Sequence, residues 1–224
     1  MKTTLTIEHL TKDRQLIKRL QQPSRSWVIA FIQQLYLMSA QDGAYSLTDI
    51  SNTARTCRGT SFNNNGNGLS LRVAVPGGGS NIVICGSDNS GYMQYAQTNN
   101  FTLQAEEVGI VVGSDDTAVV PSDYKLNTVI AHGKAASQLE YGGCSVGNYI
   151  ESAPNVTFDI TRYFINNSGG DVTAKECGIY APAGSWGASQ FIYSFCIARD
   201  ILGAPITIAN TEILQVIYTV STTV

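Results

Sequence analysis

The chain has 224 residues, of which 43% are hydrophobic and 14% are charged, and its formal net charge is −3. That length holds one large β domain, or one domain with an arm. The charged fraction lies well below the ~25% of an average protein, which is typical of chains that hide surface in an assembly and also of β-rich proteins with neutral polar faces. The apolar run Trp27–Ala40 contains Gln33 and Gln34 and is too short for a membrane span. Polar residues follow Met1 without an apolar stretch, so no secretory signal is predicted.

Charge divides the chain near residue 58. Residues 1–58 hold eight Lys/Arg and four Asp/Glu, whereas residues 59–224 hold six Lys/Arg and thirteen Asp/Glu. The negative excess of the larger part argues against broad nucleic-acid binding. The basic end suits an acidic protein surface or nucleic acid, although a solvated helix face has the same composition. We therefore divide the chain into a helical N-terminal arm with a linker, residues 1–58, and a β-sandwich domain, residues 59–224.

The five cysteines are widely spaced in the sequence: Cys57, Cys85, Cys144, Cys177 and Cys196. No C-x-x-C or other close pair occurs, so a zinc site is not indicated. Their odd number and wide spacing favour free, buried thiols in a protein that folds in the cytoplasm, and leave one or two disulfides open.

Two helices are predicted before residue 40. The first covers Ile7–Leu20, where apolar residues fall near helical spacing, and Pro23 separates it from a second helix that continues to Met38. The second helix carries an apolar stripe at i, i+3, i+4 and i+7, which we interpret as an assembly arm that docks on a neighbouring subunit: Val28, Phe31, Ile32 and Leu35. In the competing interpretation both helices fold onto the β domain of their own chain.

Beyond Gly68, short segments of alternating apolar and polar residues are separated by Gly, Pro and Asn turns. The clearest is Val156–Tyr180, in which two alternating runs flank Asn166–Asp171 and predict a β-hairpin. Many short strands of this kind indicate an antiparallel β-sandwich or jelly-roll-like domain. Earlier candidate strands are Leu69–Val75, Asn81–Cys85, Tyr92–Gln97 and Phe101–Leu103. The alternation predicts seven largely buried side chains: Phe158, Ile160, Phe164, Phe195, Ile197, Val216 and Tyr218.

Few residues suggest catalysis or metal binding. His9 and His132 are the only histidines, and neither has a His, Cys or carboxylate at ligand spacing. A Ser-His-Asp arrangement needs only one histidine, but the chain lacks the G-x-S-x-G nucleophile turn. Asp115, Asp116 and Asp123 form an acidic loop cluster that suits calcium, although Asp is also common in turns for backbone reasons.

Two further kinds of site are possible on strands. Carboxylates on paired strands can act together in glycoside hydrolysis, and the candidates are Asp159, Glu176 and Asp200. Aromatic rings can form a sugar-binding platform, and the candidates are Trp27, Tyr180, Trp186, Phe191 and Tyr193. Strand cores produce the same aromatic pattern. We predict no catalytic residues, no cofactor and no essential metal.

Three blocks of sequence occur in a characteristic order. The first is VVGSDDTAVVPSDYKLNTVI, Val111–Ile130, continued by HGKAASQLEYGG. The second is ITRYFINNSGGDVTAKECGIY, and the third is IARD, Ile197–Asp200, followed by Ile206–Thr219. This order resembles a family of virion structural proteins of tailed bacteriophages. The resemblance covers about Val108–Val220, and its middle block is the most specific.

The chain departs from the family pattern in small ways. It has Ser114 and Asp115 where the pattern has Thr-Gly, Ile179 where a leucine is usual, and Cys177 where an aliphatic residue is usual. The resemblance implies a non-enzymatic structural subunit at the neck, tail or fibre attachment of the particle. Such a subunit acts by symmetric assembly with copies of itself and with other virion proteins, and not with a membrane or nucleic acid.

Other functional classes stay open. A capsid decoration or cement protein would bind the shell through the basic arm. A carbohydrate-binding β-sandwich would contact a host receptor, and a hydrolase on a β scaffold is the enzymatic alternative. The resemblance favours a virion protein that folds in the host cytoplasm, with a homo-oligomeric state.

Overall fold

A computed structural model describes residues 2–24, 27–39, 44–59, 71–73, 104–185 and 191–223. The described residues are mainly β, and the named strands pair in antiparallel fashion. The strands are β1 (Lys2–Leu10), β2 (Leu16–Ser24), β3 (Ala44–Thr48), β4 (Ala54–Gly59), β5 (Leu71–Val73), β6 (Gly109–Gly113), β7 (Glu140–Val146), β8 (Ile150–Ser152), β9 (Asn155–Ile165), β10 (Val172–Ser185), β11 (Phe191–Ile208) and β12 (Ile213–Thr223). The helix α1 spans Ile29–Ser39, and a 3-10 turn covers Ala105–Glu107.

The larger sheet joins both ends of the described chain. Its strand order is β2-β1-β12-β9-β7, and β8 extends the β7 edge by pairing with β9. β12 lies at the centre, with β1 on one side from Lys2↔Ser221 to Leu10↔Ile213. On its other side β12 pairs with the whole of β9.

Two smaller sheets complete the β structure. The second sheet has the order β11-β10-β6 and the third has the order β3-β4-β5. The residue before helix α1 is attached to the second sheet, because the Val28 N–H donates to the Ile197 carbonyl on β11 at 3.2 Å. The Ile29 N–H donates to the Pro121 carbonyl at 2.9 Å, which ties the same helix to the long connection after β6.

One hydrophobic core is shared by the larger and second sheets. Leu5, Phe164 and Val216 enter it from the larger sheet, and Ile179 and Phe195 enter it from the second sheet, all fully buried. Six of the seven predicted core side chains are buried, and Phe158 is partly buried against them. The period-two prediction of which side chains face the core is therefore confirmed.

The first predicted helix is wrong. Residues of Ile7–Leu20 belong to the antiparallel strands β1 and β2, which are joined by a turn with Arg14 at φ 61°. Four β-branched residues in the run Thr3–Ile7 favour an extended backbone, and burial of Leu5 and Ile7 against the core decides the outcome. The near-helical spacing of leucines arose from two strands and their turn.

The second predicted helix is confirmed and begins later than expected. It starts at Ile29, after Trp27 bridges to Ala198 and Val28 is fixed to β11. Residues 1–58 are therefore not a helical arm with a linker, because two strands of the larger sheet and two of the third sheet lie within them.

The predicted hairpin over Val156–Tyr180 is also wrong. Both strands exist, but β9 pairs with β12 and β7, whereas β10 pairs with β11 and β6. The connection between them crosses from the larger sheet to the second sheet. Asn166, fully buried, fixes this crossing because its Nδ2 donates to the carbonyls of Gly170 and Ile208, both at 2.7 Å.

The variant Asn166→Ala is expected to lower the free energy of unfolding by about 1–3 kcal/mol, since it leaves the buried Ile208 carbonyl without this donor. Urea denaturation followed by circular dichroism measures the change. Asn167→Ala is the matched control, because Asn167 is exposed and bonds the Glu140 carboxylate at the surface. Equal costs at the two positions would contradict the role assigned to Asn166.

Several predictions fall outside the described residues. These are Cys85, Trp186, most of Leu69–Val75, and the strands Asn81–Cys85, Tyr92–Gln97 and Phe101–Leu103. Among the described cysteines, Cys57, Cys177 and Cys196 are buried free thiols, as predicted, and Cys144 is half-buried. Burial raises the pKa of Cys57 to about 12, so this thiol is not a reactive thiolate at neutral pH.

Candidate functional site

A polar cluster around Arg199 holds residues 114–128 over the second sheet. Arg199 is fully buried on β11, and its Nε donates to the Glu176 carboxylate at 2.8 Å. Its Nη1 donates to Asp123 at 2.7 Å, and its Nη2 donates to the Thr117 carbonyl at 2.9 Å. Burial disfavours the charged guanidinium, but the hydrogen bonds to Asp123 and Glu176 outweigh that effect and raise the pKa of Arg199.

Glu176 links the cluster to the connection a second time. One oxygen accepts the Thr128 N–H at 3.0 Å, while the other binds Arg199. The connection packs so closely that a Cβ on Gly178 would lie 2.6 Å from Leu126 Cδ1 and 2.5 Å from the Ala198 carbonyl oxygen. This cluster therefore fixes a surface segment to the core, and all its charges are used in doing so.

Each of the three loop aspartates lies next to a basic side chain. Asp123 binds Arg199, and Asp116 binds Lys175 Nζ at 3.0 Å. Asp115 accepts the Thr117 N–H at 2.7 Å and the Asn127 amide at 3.1 Å. Within the described ranges no group of His, Cys, Asp or Glu has the proximity that a metal ion requires. The geometry gives no support to the calcium hypothesis, because Asp115 and Asp123 both face the Arg199 guanidinium and Asp116 faces Lys175.

The carboxyl of Asp115 is expected to titrate at about pH 2, because hydrogen bonds from Thr117 and Asn127 lower its pKa from 3.8 to about 2. Its ionised form stabilises the fold above about pH 4, and this contribution is lost as the pH falls through 2. Carbon-detected NMR titration of the Asp115 carboxyl measures the midpoint. Asn127→Ala should move it toward 3.8, whereas an unchanged midpoint would exclude the Asn127 contact as a cause.

The histidines are separate and each has a structural contact. His9 Nε2 lies 2.6 Å from Glu212 Oε2, which ties β1 to the turn before β12. His132 Nδ1 accepts the Tyr141 N–H at 3.0 Å. This contact ties His132 to the start of β7.

The candidate carboxylates also lie apart. Asp200 is buried and accepts hydrogen bonds from the hydroxyls of Ser24 at 2.7 Å and Tyr218 at 3.1 Å. Glu176 points instead to Arg199, the neighbour of Asp200 on the opposite face of β11. Asp159 is exposed and binds the Thr219 hydroxyl at 2.6 Å. These contacts give no acid pair across a cleft.

The aromatic candidates whose side chains the structure describes do not form a platform. Trp27 and Phe31 stack on each other with ring centroids 4.0 Å apart, and Tyr180 is buried. The Tyr193 ring lies under the Arg55 guanidinium, with 3.8 Å from the ring centroid to Cζ. Trp186 and the side chain of Phe191 lie outside the described part of the chain.

The three resembling blocks meet one another in space. The Tyr180 hydroxyl of the second block accepts the Leu126 N–H of the first at 2.7 Å, and Arg199 of the third block binds Asp123 of the first and Glu176 of the second. Arg162, buried on β9, donates through Nη1 to three carbonyls of residues 105–110 at 2.7–2.8 Å. The blocks therefore supply contacts that hold the fold together.

Sequence reasoning missed both buried arginines, although a signal was present. Arg162 is in phase with Ile160 and Phe164 on β9, and Arg199 directly follows the apolar run Phe195–Ala198 of β11. A charged residue at an inward position of an apolar strand indicates a buried polar network.

The predicted assembly residues are divided between core and surface. Val28 is fully buried and Phe31 is partly buried, while Ile32 is 60% exposed. The side chain of Leu35 lies outside the described residues. Ile29 is 53% exposed one turn before Ile32, and Val120, 48% exposed, precedes Pro121, whose carbonyl accepts the Ile29 N–H. We call Ile29, Ile32 and Val120 the helix patch.

Other large apolar side chains are exposed on the larger sheet. They are Leu16 and Ile17 on β2, and Val146, Tyr149 and Ile150 at the opposite edge. No helix of the described segments combines the length and apolar character needed to cross a membrane. Comparison of the chain with protein-family models, with curated proteins and with solved structures gave no match in any of the three.

Proposed function

We propose that the chain is a non-enzymatic structural subunit of a tailed-phage virion, placed at the neck, tail or fibre attachment and acting by symmetric assembly. The observation that carries this proposal is the distribution of exposed apolar side chains over the helix patch and both edges of the larger sheet. Isolated exposed apolar residues are common on proteins, but clusters of them mark contact surfaces.

The chemistry of the interior supports the same proposal. The carboxylates and histidines that were candidates for catalysis are engaged in contacts that fix strands and connections. A rigid β body with low charge suits extended protein–protein contacts. We interpret the larger and second sheets, which share a core, as a jelly-roll-like sandwich.

A capsid decoration protein is the second candidate. The turn and strand after β1 carry four basic residues, Lys12, Arg14, Lys18 and Arg19, against one acidic residue, Asp13. A basic hairpin suits attachment to an acidic shell. The stacking of Trp27 on Phe31 gives a receptor-binding sugar platform less support, because the two rings cover each other.

Quantitative mass spectrometry of purified particles tests the proposal. We expect five, six or twelve copies per particle, and immunogold labelling should place them at one vertex. Hundreds of copies over the shell would support decoration instead. Absence from purified particles would refute both virion functions.

The helix patch is tested by the double variant Ile29→Asp/Ile32→Asp. Both side chains are exposed, so the variant is expected to fold but to enter particles less efficiently. Thr56→Asp, an exposed polar position on β4, is the control for surface charge. Normal incorporation of the double variant would exclude the helix patch as an assembly surface.

A further inference from the structure

The first edge of the larger sheet is basic and apolar. Among the described strands β2 pairs with β1 alone, and its side-chain hydrogen bonds to β11 come from Gln22 and Ser24, so Leu16–Lys18 has no described strand on its outer side. Leu16 and Ile17 are 52% and 48% exposed there, next to Lys18, and β2 contains no Asp or Glu. Arg19 forms an ion pair with Glu8 on β1, so we assign the positive charge of this edge to Lys18. We call Leu16, Ile17 and Lys18 the basic edge.

The second edge is acidic and apolar. β8 pairs with β9, and none of its three residues is buried. Tyr149 and Ile150 are 62% and 57% exposed, and the Tyr149 hydroxyl donates to Glu151 at 2.8 Å. Residues 140–161 contain three Asp/Glu and no Lys or Arg. We call Tyr149, Ile150 and Glu151 the acidic edge.

We propose that the basic edge of one copy docks on the acidic edge of a second copy of the same chain. Both edges expose large apolar side chains. Beside them the basic edge carries the positive Lys18, and the acidic edge carries the negative Glu151. Contact buries the apolar side chains and pairs Lys18 with Glu151. Basic-to-basic or acidic-to-acidic contact would instead place like charges together, which disfavours a twofold dimer through either edge. This inference deepens the proposed function by naming the surfaces through which copies assemble.

The contact is head to tail, because the two edges are different surfaces. Strand pairing puts Leu16, Leu10, Ile213 and Ile165 in one row across the larger sheet. At the opposite edge, Ile150 pairs with Thr157, which lies eight residues before Ile165 on β9. Successive copies are therefore offset along the strands by about 27 Å, given ~3.4 Å per residue over the eight residues between Thr157 and Ile165. Such contacts close into a ring when the rotation between copies permits and otherwise continue as a helix.

Charge reversal in the full chain tests the contact. Sedimentation velocity should show that Lys18→Glu and Glu151→Lys each raise the protein concentration needed for association on the order of tenfold. The double variant Lys18→Glu/Glu151→Lys should recover association, because the pair is restored with its signs exchanged. Lys125→Glu and Asp171→Lys change exposed charges away from both edges and should leave association unchanged.

Disulfide cross-linking gives a second measurement. Oxidation of the double variant Ile17→Cys/Ile150→Cys should produce a ladder of covalent oligomers, while each single variant should resemble the parent chain. Dimers from Ile17→Cys alone would show twofold contact through β2 and overturn the proposal. A parent chain that stays monomeric at the highest soluble concentration would overturn it as well.

The two proposals fail in different ways. If the chain is found in purified particles but charge reversal at both edges leaves its association unchanged, the edge contact is wrong and the virion function stands. If the edges mediate association but the chain is missing from particles, the virion function is wrong and the edge contact stands.

Discussion

Replacing Arg199 with methionine is expected to lower the free energy of unfolding by about 3–5 kcal/mol, because it leaves a buried carboxylate without its cation. Glu176 is fully buried at 2.8 Å from Arg199, and Asp123 depends on the same guanidinium. The loss should also loosen residues 114–128, which Arg199 holds to the second sheet. Urea denaturation measures the first effect and amide hydrogen exchange measures the second.

Two variants separate the cost of leaving a buried carboxylate unpaired from the cost of removing a positive charge. Lys175→Met removes a partly exposed cation that binds the exposed Asp116, and should cost within about 1 kcal/mol. The double variant Arg199→Met/Glu176→Gln removes the uncompensated carboxylate and should recover part of the loss. If Arg199→Met costs no more than Lys175→Met, the cluster does not hold the connection as described.

The variant Phe195→Ala should lower the free energy of unfolding by about 3–5 kcal/mol through the cavity that it leaves. Phe195 is fully buried on β11, in the core shared by the larger and second sheets. Neighbours in a close-packed core relax only in part around a lost ring, so both burial and contacts are lost. Differential scanning calorimetry and urea denaturation should agree on the size of the effect.

Phe158→Ala is the matched comparison for this prediction. Phe158 is only partly buried, so truncation of the same side chain should cost clearly less there. The conservative variant Phe195→Leu should retain most of the stability, because it fills most of the volume. A larger cost at Phe158 than at Phe195 would contradict the observed packing.

The strands and their buried faces were predictable because burial repeats every two residues. The alternation in β9 and β12 placed Ile160, Phe164, Val216 and Tyr218 in the core, where they lie. The partners of each strand were not predictable, since an Asn-Gly-rich turn fits both a hairpin and a crossing between sheets. The difference lies in distant contacts, such as that of Asn166 with Ile208.

The N-terminal prediction failed for a related reason. Local spacing suggested a helix, but β1 is determined by pairing with β12, more than 200 residues later. Tertiary contacts override weak local preferences of this kind. The Arg199 cluster escaped prediction because Asp123, Glu176 and Arg199 are far apart in sequence and converge only in the fold.

The central position of β12 has a consequence for biosynthesis. β1 and β9 both leave the ribosome before β12, yet β12 lies between them. The chain must bring β1 and β12 together across a long intervening sequence before their hydrogen bonds can form. The conformational entropy lost in closing this loop is offset only afterwards, and folding is therefore slow. Nascent chains that lack residues 213–223 therefore present two long open strand edges, which are prone to aggregation. We expect a chaperone that covers β1 and β9 during translation to increase the yield of folded chain.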